Sequence, residues 1–202
     1  MNTYSKHEPR LKERQRAEAA RAIAAAAEDV FAERGLREAR MEEIASRAGV
    51  SVGTVYNHFA DRDALLRELI ESRRAQLARK LDGALAAAAG EPFRDQLRSF
   101  CRTVFEHFET HRGFLAIMLQ ADTAHLEHPS EAMREVKARA LALVERGLAA
   151  HALKPDGKDL WSMLLLGSIR SLLVHELKFP GKLHVAERAD AVVDFFLGGA
   201  AA

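Results

Sequence analysis

Apolar residues recur along most of this chain at steps of three and four, the repeat of a helix that buries one face. Gln15 to Arg34 carries Ile23, Ala26, Ala27, Val30 and Phe31 on one side and is stopped by Gly35, so a first helix is predicted there. Two short helices should follow, from Glu42 to Arg47 and from Val52 to Phe59, with Ala48-Gly49-Val50 between them. Gly49 is the residue there that enters a left-handed turn at no steric cost, and Ser51 supplies an oxygen to an exposed amide of the second helix. Asp61 should cap a long helix from Arg62 to about Ala89 with Leu65, Leu69, Leu77, Leu81 and Leu85 inward. Gly90-Glu91-Pro92 breaks the chain. Phe93, Leu97, Phe100, Val104 and Phe108 then mark a helix to His111, and Gly113 to Gln120 forms a shorter one. Pro129-Ser130 should open a helix to about Ala150.

The last two predicted helices differ from the others. Asp159 to Lys178 is apolar around nearly its whole circumference, which calls for burial on both sides: its own core on one, a partner on the other. Val185 to Leu197 adds the stripe Val185, Ala189, Val192, Val193 and Phe196. Two such helices from each of two chains would close a four-helix interface. Leu164, Ser168, Ser171, Leu172, His175, Val192, Val193 and Phe196 are its expected residues. The expected class is all-α, with a head over residues 1–60 and a helical body over 61–202.

Between Met41 and Phe59 the pattern is that of a helix-turn-helix. Ile44, Ala45, Val50, Val55 and Phe59 pack inward, leaving Val52, Gly53, Thr54, Tyr56, Asn57 and His58 outside. Small residues permit close approach to a major groove, and Thr, Asn, Tyr and His bring hydrogen bonds for phosphates or base edges. The stretch Arg21 to about Ile70 closely resembles the DNA-binding domain of the TetR (tetracycline-repressor-like) family of bacterial transcriptional regulators. The most specific matches are Ile44-Ala45, Ala48-Gly49-Val50-Ser51, Gly53-Thr54-Val55-Tyr56, His58-Phe59 and Asp61 to Leu65. Ala39 and Arg40 depart from it, standing where the family has a helix-capping Thr or Ser that touches phosphate; Arg40 could still reach phosphate as a cation. Arg62 stands for a usual Lys and keeps its charge. The resemblance implies a ligand-responsive repressor that binds a palindromic double-stranded DNA operator as a homodimer through its final two helices. Arg40, Ser51, Val52, Gly53, Thr54, Tyr56, Asn57, His58 and Arg62 are the expected DNA-facing residues.

Charge adds little to this, because Met1 to Ile70 holds twelve basic and twelve acidic side chains. Their distribution matters more: Lys6, Arg10, Lys12, Arg14, Arg16 and Arg21 make a basic leading arm, either a phosphate contact or a solvated start. The lone Cys101 excludes an internal disulfide framework and reads as a small buried hydrophobe. No apolar run is expected to span a membrane and the N-terminus is polar, which places the protein in the cytoplasm.

An effector site is expected between the body helices, from Phe100, Val104, Phe108, Phe114, Met118, Met163 and Leu166. His107 and His111 continue the inward stripe and would give it a hydrogen-bonding or cationic end. That suits an apolar effector with one polar or anionic end, an acyl chain or an aromatic acid. Alternatively both histidines sit where the helix leaves the core and reach water. The pair also has metal-ligand spacing, with Glu106 or Glu109 nearby, so a helical-bundle enzyme or metal-binding protein is the competing class. No phosphate loop or nucleophile elbow accompanies it, no cofactor is expected, and His125 and His128 read as solvated.

Overall fold

A computed structural model describes residues 8–122, 131–155, 157–181 and 184–200. The fold is all-α, and the described residues form α1 (Glu8–Arg34), α2 (Met41–Ala48), α3 (Val52–His58), α4 (Arg62–Ala87), α5 (Phe93–Thr110), α6 (Arg112–Asp122), α7 (Glu131–Ala149), α8 (Lys158–Lys178) and α9 (Val185–Ala200). Lys6, His125, His128 and the Pro129-Ser130 opening lie outside the described residues. From residue 8 onward the expected arm is helical: Lys12, Arg14, Arg16 and Arg21 are exposed on the first turns of α1.

The chain divides into two compact units, the first reaching Ile70 and taking in α6 from Ala116. Its core is built from Ile23, Val30 and Phe31 of α1, Ile44 and Ala45 of α2, and Val55 of α3. Leu65 and Leu69 of α4 and Ile117 of α6 join the same core, so this unit extends past the boundary expected at residue 60. Arg47 of α2 donates two hydrogen bonds to the Glu33 carboxylate of α1, at 2.7 and 2.8 Å, and holds that carboxyl below its ordinary pKa.

The second unit packs α5 against α9, with α7 and α8 completing the bundle. Buried Phe93, Leu97, Phe100, Val104 and Phe108 of α5 fulfil the predicted stripe. Arg98 ties α5 to Asp190 of α9 at 2.6 Å, and Arg94 pairs with Asp194. Arg139 of α7 grips Asp82 of α4 with two hydrogen bonds of 2.6 and 2.7 Å. At Gly147 a Cβ would come within 2.6 Å of the Phe93 ring and 2.8 Å of Leu153, so the close approach of α7 to α5 requires glycine. Cys101 is fully buried among these apolar groups, which pushes its thiol pKa up to about 12 and makes it unreactive.

Two expectations about the final helices need correction. Asp159–Lys178 is, by length and composition, apolar enough to cross a membrane, contrary to the reading that no run approaches that length. Its inward stripe of Leu165, Ile169 and Leu173 is nevertheless buried against protein. On α9, Val192, Val193 and Phe196 are at most 4% exposed in the single chain, so they cannot be the surface this helix offers a partner. They pack inside the protomer, Phe196 edge-on to Trp161 of α8; the large apolar side chain that α9 leaves open is Phe195, 74% exposed.

Candidate nucleic-acid interface and effector cavity

The turn between α2 and α3 is set by Gly49, left-handed at φ 69°, whose amide and that of Val50 close onto the carbonyls at the end of α2. Ser51 then caps α3: its Oγ accepts from the Thr54 amide at 3.0 Å and lies 2.8 Å from the Thr54 hydroxyl. These two oxygens therefore satisfy each other and the helix start. Val55 is fully buried, which turns the opposite side of α3 outward. Gly53, Tyr56 and Asn57 are exposed there, and His58 is half-buried beside Phe59. Val52, expected outside, is half-buried against the head core.

Gly53 has an ordinary helical conformation, and a Cβ there would meet only Ser51 Oγ, at 3.8 Å. Nothing in the fold demands glycine at this helical position, where it costs stability relative to alanine. Glycine leaves the outer surface of α3 open at this point.

The cationic residues divide. Arg62 donates to the Arg37 carbonyl at 2.7 Å and to the Asp63 carboxylate at 3.1 Å, so it braces the connection between α1 and α2 rather than standing free for phosphate. Arg40 occupies the N-cap position of α2 with an extended backbone and no capping hydrogen bond from its side chain. It is exposed, as is Arg37, and among the described residues neither has an acidic partner. Ala39 is buried in the head core, which accounts for an apolar residue where a capping hydroxyl was expected. Arg37 was missed by sequence reasoning, since a loop arginine carries no periodic signal.

In the second unit, Phe100, Val104, Phe108 and Phe114 are buried, and Phe108 stacks on Phe114 with centroids 5.7 Å apart. His107 is 0% exposed and neither ring nitrogen has a hydrogen-bond partner. Burial first, then the nearby charges of His111, Lys80 and Arg73, push its pKa down to about 3. It is therefore a neutral ring at ordinary pH, neither a cationic pocket end nor a side chain reaching water. His111, half-buried, meets it edge-on at 4.9 Å. No Cys, Asp or Glu among the described residues completes a metal-ligand group with them.

A cavity of about 190 Å³ lies within this unit. Of the predicted effector residues only Phe108 lines it, together with Leu115, Leu173 and Leu177. Glu109, Arg112, Glu176 and Arg188 bring charge to it. Met163, expected inward, is 63% exposed, and Met118 falls in the first unit. These polar groups come from separate helices, and only packing brings them together.

Residues 23–69 match the family of bacterial regulatory proteins of the tetR type. That stretch is a TetR-type DNA-binding domain. The chain is 31% identical over 90 residues to the uncharacterized HTH-type transcriptional regulator YerO of Bacillus subtilis (strain 168), covering 45% of this chain and 31% of that protein. It is 44% identical over 54 residues to the HTH-type transcriptional repressor BepR of Brucella suis biovar 1 (strain 1330), covering 27% of this chain and 26% of the repressor. The matched stretches thus span less than a third of either relative. In fold, the transcriptional regulator FadR from Bacillus subtilis, solved in complex with stearoyl-CoA, is similar at a TM-score of 0.73 and 18% identity, over 88% of this chain and 97% of that one.

Proposed function

We propose that this chain is a TetR-family, operator-binding transcriptional repressor that acts as a homodimer in the cytoplasm and leaves DNA when a small molecule occupies its helical body. One observation carries the DNA-binding part: α3 turns Gly53, Tyr56 and Asn57 outward, and Gly53 serves no need of the fold itself. A glycine on the outer face of a short capped helix suits entry into a major groove, where Asn57 reads a base edge and Tyr56 holds the backbone. Arg37 and Arg40, free of acidic partners among the described residues, supply cations for phosphate. Two α3 helices of a dimer would read half-sites about one helical turn apart, so a palindromic operator follows. The repressor BepR and the FadR structure with stearoyl-CoA support repression and a ligand-holding body. The effector acts through its differential affinity for the DNA-competent and released states.

The test is selection of bound duplexes from a random pool by the full chain, followed by fluorescence anisotropy on the enriched site and a scrambled one. A palindromic site is expected, and Asn57→Ala should lower affinity for that site by about tenfold while leaving the scrambled duplex nearly untouched. No enrichment at any salt concentration would sink the reading. Equal loss on both duplexes would remove Asn57 from base reading.

A further inference from the structure

We propose that the cavity of the second unit binds a compact organic carboxylate, with the carboxylate on Arg188 and a six- to eight-carbon body against Phe108, Leu115 and Leu173. This rests on the reading of the body as an effector domain and adds the chemical class of the effector. Arg188 is only 2% exposed, yet its sole ion pair among the described residues is a contact of 3.4 Å from Nη2 to Glu109. Charge-assisted hydrogen bonds of this type close to about 2.7–2.9 Å. Its Nε has no acceptor, and the Phe105 ring, 5.5 Å from the guanidinium carbon, covers one face without accepting a conventional hydrogen bond. A guanidinium removed from water with so little compensation creates demand for an anion.

The acidic residues of the cavity create no matching demand for a cation. Glu176 already accepts from the Gly181 amide at 2.7 Å, and the Glu109 side chain is 45% exposed to solvent. Arg112, exposed at the first position of α6, adds a second positive group to the lining. Unmet hydrogen-bonding capacity in the cavity is therefore cationic, and a ligand carboxylate would compete with Glu109 for Arg188. Volume sets the body of the ligand. A dry cavity of about 150 Å³ holds benzene, so about 190 Å³ admits a ring or short chain with its carboxylate.

The experiment is calorimetric titration of the full chain with benzoate and with hexanoate, each compared with benzyl alcohol and hexanol. At least one acid should bind about tenfold more tightly than its alcohol. Arg188→Met should erase that preference. Glu109→Gln, at a half-exposed position that the fold tolerates, should tighten acid binding about threefold by removing the competing carboxylate. Absence of binding by both acids, or parity with the alcohols, overturns the proposal. If Arg188→Met fails to fold, Glu109→Gln decides alone, and unchanged or weaker acid binding in it overturns the proposal. A DNA-release assay separates this from the regulatory reading: acid binding without release leaves the carboxylate site standing and removes its effector role, whereas intact DNA binding with no acid binding removes the site alone.

Discussion

His107 shows how far one residue's behaviour depends on what is folded over it. Its ring is fully buried with both nitrogens unpartnered, and its pKa lies near 3 because burial opposes the charged form. In the unfolded chain a histidine titrates near 6.5. Above that pH neither state is protonated and the folded protein keeps its full stability. As pH falls from about 6.5 toward 3, the unfolded chain takes up a proton that the folded one refuses, so stability is lost at up to about 1.4 kcal/mol per pH unit. Urea unfolding at pH 7 and pH 5.5 should show the wild type losing about 1 kcal/mol more than His107→Leu; parallel losses would show that the ring is solvated in the folded state. The sequence already placed His107 on the stripe with Phe100 and Val104. Its neutrality was not legible there, because the Phe114 ring that closes over it, centroids 6.3 Å apart, belongs to α6. Arg188 was missed for the same reason, and Glu109 was noted only beside the histidines: the pair exists only where α9 meets α5.

At the scale of an element, α3 is the most legible part of the molecule, since its causes are local. Gly49, Ser51 and Thr54 lie within a few residues of one another and their hydrogen bonds define both the turn and the helix start. Less legible was the role of Arg62, whose partner is the backbone carbonyl of Arg37, in the connection before α2. The outward face of α3 yields a test that separates folding from function. Gly53→Ala has space for its methyl and an unstrained backbone, so thermal stability should hold or rise by a few tenths of a kcal/mol. Operator affinity should fall at least about tenfold, because the methyl occupies the gap left for DNA. Ser51→Ala should do the reverse in part, costing about 1 kcal/mol of stability through the lost cap. Paired calorimetry and anisotropy on the two variants check this, and a Gly53→Ala protein with wild-type operator affinity would move the contact surface off this face.

At the scale of the whole molecule, the open side of α8 is the feature that one chain leaves unexplained. Leu160, Leu164, Ser171 and His175 recur along it at helical spacing and are exposed, while Leu165, Ile169 and Leu173 on the other side are buried. Ser168 and Gly167 keep its middle narrow, and a Cβ at Gly167 would meet nothing within 4 Å, so a second helix has room to approach. On α9, Phe195 is a further large apolar side chain left open. The proposed dimer would cover these residues, and the stripe of Val192, Val193 and Phe196 would stay in the core of each protomer. Two kinds of variant should therefore fail differently. Leu164→Glu with Phe195→Glu places charge only on exposed positions, so each chain should keep its helical circular dichroism while light scattering falls from dimer to monomer mass. Val193→Asp buries an unpaired carboxylate in the core of the protomer, which should cost about 3 kcal/mol or more and lower the melting temperature whatever the protein concentration. A dimer that survives the double glutamate variant would place the partner on another face. If Val193→Asp instead dissociated the dimer and left each chain folded, the burial of Val193 inside the protomer described above would itself be wrong.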